Sequence, residues 1–158
     1  MKKGRCNHHP TAYRPKPPFK IVEGLGTEPC ARLSEFAVWV LSRFYAKFTG
    51  MNRANLSLTY EEVKGNMSTT IFIRSIWELV GFGFIDIIRF GRLERNASLY
   101  ALSDRWRSLV DDPKRMDQIA AILEEIKNLQ RARSISCKRA KLAALRKRLL
   151  DHFRVQYG

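Results

Sequence analysis

The chain has 158 residues and a mass of 18.4 kDa, enough for one domain of ordinary size plus appendages. Hydrophobic residues make up 45% and charged residues 28%, an apolar share that excludes a wholly disordered tail. Lys and Arg number 29 against 15 Asp and Glu, so the formal net charge is +14 and polyanions are the expected partners.

Residues 1–30 read as a basic, mostly irregular arm. Five of the six prolines fall there, at Pro10, Pro15, Pro17, Pro18 and Pro29, and the apolar residues keep no sustained period. Lys2, Lys3, Arg5, Arg14, Lys16 and Lys20 supply its charge. No apolar segment follows the basic start, which disfavours a secretion signal. Phe19, Ile21, Val22 and Leu25 can dock on the following domain as a strand or latch. Cys6-Asn7-His8-His9 gathers a thiol and two imidazoles, yet a zinc site needs about four ligands and no second pair stands at suitable spacing. The simpler reading is a solvated arm without metal. Cys6, Cys30 and Cys137 are odd in number and scattered, which points to reduced thiols and a cytoplasmic protein.

A helix is predicted from Ala31 or Ser34 to Phe48. Phe36, Val40, Phe44 and Phe48 recur every four residues, flanked by Leu33, Ala37, Leu41 and Tyr45. Gly50 suits the stop. The longest apolar run, Phe36 to Leu41, is far short of the ~20 residues of a membrane span, and Arg43 closes it. Leu56-Ser57-Leu58 alternates as a short strand. Thr59 and Glu62 have capping-box spacing and start a brief helix that Gly65-Asn66 interrupts. Ser68 caps a further helix to about Phe82, and Gly83 supplies a left-handed exit. Phe84 to Ile88 and Ser98 to Leu102 then read as a hairpin around a basic loop containing Gly91.

From Asp112 to the end the chain reads as helical, with Asp112 as N-cap and Pro113 at the first helical position. Met116, Ile119, Leu123 and Ile126 form one seam; Leu142, Leu145 and Leu149 form another, out of phase with the first. Two helices joined at Ser134-Ile135-Ser136 satisfy that break. Their seams bury either against each other in one chain or across a homodimer, and the length of the tail favours the dimer.

The stretch from Phe44 to Arg107 resembles winged helix-turn-helix proteins of bacterial mobile elements, a group of prophage and plasmid regulators and replication initiators. The similar pieces are Asn55 to Glu62, Met67-Ser68-Thr69-Thr70, Gly83 to Ile87, and Asn96 to Ser103 with Trp106; Phe19 to Val22 is similar as well. The order helix, short strand, short helix, turn, helix, hairpin best fits a helix-turn-helix with a two-stranded wing, and the resemblance implies the same mainly α fold with a small β-hairpin, a winged-helix domain over residues 31–107. The basic helical extension over 108–158 is not part of the resemblance. The resemblance also implies duplex DNA as the partner, in transcription regulation or replication.

In such a fold the start of the helix at Ser68 meets the major groove. Thr69 and Thr70 can bond bases or phosphates, the free N–H groups from Ser68 to Thr70 can hold a phosphate, and Arg74 can pair with guanine. The alternative is a solvated polar face. Ile73 and Trp77 share that outer face and suit packing against the arm, the tail or a second subunit. On the hairpin, Arg89, Arg92, Arg95 and Asn96 can clamp phosphates or enter the minor groove, against the alternative of a solubilising tip. Lys138, Arg139, Lys141 and Arg146 can add backbone contacts, or form the charged exterior of an oligomerisation helix. No phosphate-cradling Gly-Lys-Ser/Thr motif and no Gly-x-Ser-x-Gly elbow is present, so neither catalysis nor a cofactor nor a small-molecule substrate is expected. Two other functions fit the same residues. An exposed Ile73 and Trp77 favour a protein-interaction module, whereas Tyr13, Phe19 and Phe90 favour RNA or single-strand binding by stacking.

Overall fold

The computed structural model describes residues 22–91, 97–131 and 138–154. These are mainly helical, with one small antiparallel sheet. The predicted dock of Phe19 and Ile21, the Cys6-Asn7-His8-His9 cluster and the joint at Ser134-Ile135-Ser136 lie outside them. Part of the region read as an irregular arm belongs to the folded body: Val22 packs on the core, and α1 (Glu28–Ala31) buries Pro29 and Cys30.

Helix α2 (Glu35–Lys47) starts where Ser34 Oγ accepts from the Ala37 N–H at 3.3 Å. It buries Ala37, Val40, Leu41, Phe44 and Tyr45 on the predicted face. Gly50 is not its stop. Phe48 is already extended, and the Asn52 side chain holds the exit by donating to the Lys47 carbonyl at 3.0 Å and accepting from the Thr49 N–H at 2.7 Å. Strand β1 (Leu56–Ser57) follows. The Thr59–Glu62 capping box forms, but it starts a single 3-10 turn (Tyr60–Glu62) and not an α-helix. Glu62 also pairs with Lys47, whose ammonium donates to the Ser57 carbonyl at 2.7 Å. That neighbouring charge, ahead of its hydrogen bonds with Thr59, holds the Glu62 carboxyl below its ordinary range.

Helix α3 (Thr69–Gly81) is capped by Ser68 and buries Phe72, Ser75, Ile76, Leu79 and Val80, the face expected from its period. It ends in a Schellman motif: Phe84 N–H donates to the Leu79 carbonyl at 2.9 Å, and Gly83 N–H to Val80 at 3.2 Å. Gly83 takes a φ of +75°, as that motif requires.

Strands β2 (Ile85–Arg89) and β3 (Leu99–Leu102) pair antiparallel, with Ile85 opposite Leu102 and Ile87 opposite Tyr100. The ladder shifts register between Ile87 and Arg89. The sheet is larger than the expected hairpin. The free edge of β3 takes β1, Leu56 facing Tyr100, which gives three strands in the order β1-β3-β2. A two-residue strand cannot stand alone, and this edge satisfies its backbone. Phe44 of α2 meets Tyr100 edge-on at 5.1 Å between ring centroids, which joins helices and sheet in one core.

After β3, Trp106 stacks on Phe84 at 5.8 Å and leads into α4 (Arg107–Val110). Helix α5 (Pro113–Arg131) starts as the sequence predicts, with Asp112 Oδ1 accepting from the Arg115 N–H at 3.0 Å. It buries Met116, Ile119, Ile122 and Ile126; Ile122 adds to the expected seam, in which Leu123 is half-buried. Helix α6 (Lys138–Arg154) buries Leu145 and Leu149. The two seams close on each other and on α3 within one chain, so their burial does not call for the expected homodimer. Gly81 permits the approach: a Cβ there would stand 3.2 Å from the Leu149 methyls and 3.3 Å from Ile119. Helices α5 and α6 of the extension therefore share the core of the domain before it.

Candidate nucleic-acid interface

The start of α3 presents Ser68, Thr69 and Thr70 to solvent. Ser68 Oγ is occupied as the cap, accepting from the Ile71 N–H at 3.4 Å. The first-turn N–H groups of a 13-residue helix concentrate positive potential beside the two threonine hydroxyls. Arg74 stands apart from them. Its side chain is 22% exposed and its Nε lies 3.8 Å from Glu78 Oε1, while Glu78 Oε2 accepts from the Ser34 N–H at 2.9 Å. The guanidinium is thus tied into the contact between α3 and the start of α2.

On the hairpin, Arg89 is exposed at the end of β2, beside Ile88 and Phe90, each 55% exposed. Arg92, Arg95 and Asn96 lie outside the described residues. In the extension the four predicted cations separate. Lys138 donates to the Gln130 carbonyl at 2.7 Å and so caps the end of α5. Arg139 is exposed beside α3, and Lys141 is exposed on the other side of α6, over a cleft shared with Glu125 and Asn128 of α5. Arg146 lies over Trp77, its guanidinium carbon 5.0 Å from the ring centroid.

That last contact corrects the reading of the outer face of α3. Ile73 remains 38% exposed, whereas Trp77 is only 5% exposed. Arg146 covers it, and Phe90 stacks against it at 6.3 Å. Trp77 therefore does not offer a free surface; of the three placements expected for it, arm, tail or second subunit, it takes the one against the tail. α6 runs in the same sense as α3, with Arg146 at Trp77 and Leu149 at Gly81.

Between α3, the hairpin and α6 lies an open groove of about 1070 Å³. Phe72, Ile73, Ile76, Ile87 and Leu142 give it an apolar floor, and Arg139, Arg146 and Lys147 outnumber Asp151 on its walls. Lys147 and Asp151 belong to the basic tail as read from the sequence but were not among the expected contact residues. Their only signal is spacing: 139, 143, 146, 147 and 150 share one helical face that meets α3.

Among the described residues no helix is long and apolar enough to cross a membrane, and no cluster of three or more His, Cys, Asp and Glu could hold a metal ion. No protein-family model matches the chain, and neither a curated protein nor a solved structure matches it.

Proposed function

We propose that the protein binds duplex DNA as a winged-helix domain. The observation that carries this reading is the order helix, strand, turn, helix, hairpin, with β1 closing the sheet on β3 and Thr69 and Thr70 exposed at the start of α3. The net charge of +14 supplies the attraction to phosphate. In this reading the first turn of α3 enters the major groove, Arg89 and the hairpin loop with Arg92, Arg95 and Asn96 hold the backbone, and Arg139 adds a contact from α6. Arg74 drops to a supporting role because Glu78 engages it. The protein acts in transcription regulation or replication of a mobile element, in the cytoplasm, without catalysis or a cofactor; these follow from the resemblance and the composition.

Titration against a random-sequence duplex tests the reading. Affinity should fall by about 10³-fold or more between 50 and 200 mM salt, the behaviour of a protein that neutralises six or more phosphates. Arg89→Ala should weaken binding to every sequence alike, and Thr69→Ala with Thr70→Ala should weaken a selected site more than a random one. Absence of binding at low salt overturns the proposal. The apolar groove favours a second reading, a protein-interaction module, in which duplex binding is weak and insensitive to Thr69 and Thr70.

A further inference from the structure

We propose that the groove between α3, the hairpin and α6 docks an acidic amphipathic helix of a partner protein. The inference does not depend on DNA binding. A groove of about 1070 Å³ is large enough to take a row of side chains, and its floor is mostly branched aliphatic. Ile73 at 38% and Phe90 at 55% exposure line it as large apolar groups in contact with water. Leucine-like anchors at i, i+3, i+4 and i+7 of a helix match such a floor.

Charge selects the partner. Arg139 and Lys147, both exposed, line the α6 wall, and Asp151 is the one acidic residue of the described lining, so acidic flanks on the incoming helix complete the electrostatics and basic flanks are repelled. Nucleobases fit less well, because stacking needs open aromatic faces and Phe90, the one large exposed aromatic of the described lining, already turns one face to Trp77. Trp77 is 5% exposed and already carries Arg146 and Phe90, and Tyr100 is buried.

The test is fluorescence polarisation with the full chain and two labelled synthetic helical peptides. Both carry leucines at i, i+3, i+4 and i+7; one has glutamate flanks and the other lysine flanks. The glutamate peptide should bind at least about tenfold more tightly. Ala143→Trp fills the groove from an exposed position of α6 without altering charge. It should abolish peptide binding and leave the melting temperature and duplex binding unchanged. If that variant melts early, Ile73→Gln, at a position already exposed, carries the same test. Arg139→Glu should erase the preference for glutamate flanks. Equal binding of the two peptides, or full peptide binding by Ala143→Trp and Ile73→Gln, overturns the proposal. So does oligo-dT binding that Ala143→Trp abolishes while the glutamate peptide fails to bind, or a two-chain mass that the same variant returns to one. Failure of duplex binding alone leaves peptide docking intact and counts only against the DNA reading.

Discussion

Gly83 has two independent reasons to be glycine. Its φ of +75° costs an L-residue about 1–2 kcal/mol, and a Cβ would stand 2.7 Å from the Trp106 nitrogen and 2.9 Å from the Arg105 carbonyl carbon. Both neighbours are backbone, so no rotamer change relieves them. Gly83→Ala should therefore lose more than about 1–2 kcal/mol in chemical denaturation, and an undiminished midpoint would mean that the turn relaxes freely. Ser75 should behave in the opposite way. It is 1% exposed, and its hydroxyl has no hydrogen-bond partner among the described residues. Ser75→Ala removes an unsatisfied polar group from the core and should be neutral or stabilising by up to about 1 kcal/mol. A loss of that size instead would reveal a bond to a preceding carbonyl of α3. Gly83 was legible in the sequence because a glycine between a helical period and a β-branched run has one obvious use. The state of Ser75 was not: periodicity places a residue on the core face and says nothing of which acceptors await it there.

The α5–α6 hairpin is where local pattern gives way to packing. Caps and periods fixed α2, α3, β2 and β3 to within a residue or two, since Ser34, Ser68 and Asp112 act through neighbours in sequence. The seam of α5 was read too narrowly, with Leu123, which packs half-buried on the core, but without the buried Ile122, because a heptad assumes a single partner while α5 faces both α3 and α6. The pairing of β1 with β3 and the cover of α6 over Trp77 join residues far apart in sequence, and no local signal encodes either. An outward tryptophan and isoleucine were the only sign that something must lie over α3. This hairpin also carries a pH dependence. Arg115 donates to the His152 carbonyl, and burial, then Arg115, then Arg148 hold the His152 imidazole below its ordinary value of 6.5. The folded chain thus resists the proton that the unfolded chain accepts. Stability should be level above about pH 6.5, fall as pH drops from there towards the folded value, and level off again below it. His152→Gln should flatten that part of the profile relative to the wild type, as read by thermal melts across pH. A variant that keeps the full slope would place its origin elsewhere in the chain.

For the whole molecule the question is whether one chain suffices. The length of the tail was the reason to expect a pair of chains, yet its seams are closed internally: Met116, Ile119 and Ile126 are nearly fully buried, as is Leu149, which meets Gly81. A charge of +14 on each copy also opposes association at low salt. The expected mass by light scattering is therefore that of one chain, 18.4 kDa. Mass alone does not test whether the seams hold the fold, and Leu149→Ala does. It opens a cavity where α3, α5 and α6 meet and should cost about 2–5 kcal/mol, because three helices anchored elsewhere cannot collapse onto the space. In a single-chain fold the melting temperatures of wild type and variant are both independent of protein concentration, and the variant's is lower. In a dimer built on these seams, both rise with concentration, and the variant shows a one-chain mass at concentrations where the wild type shows two. Concentration-independent melting together with a large loss in Leu149→Ala assigns the seams to the interior of one chain. It leaves the start of α3, the hairpin and the groove as the surfaces proposed to meet partners.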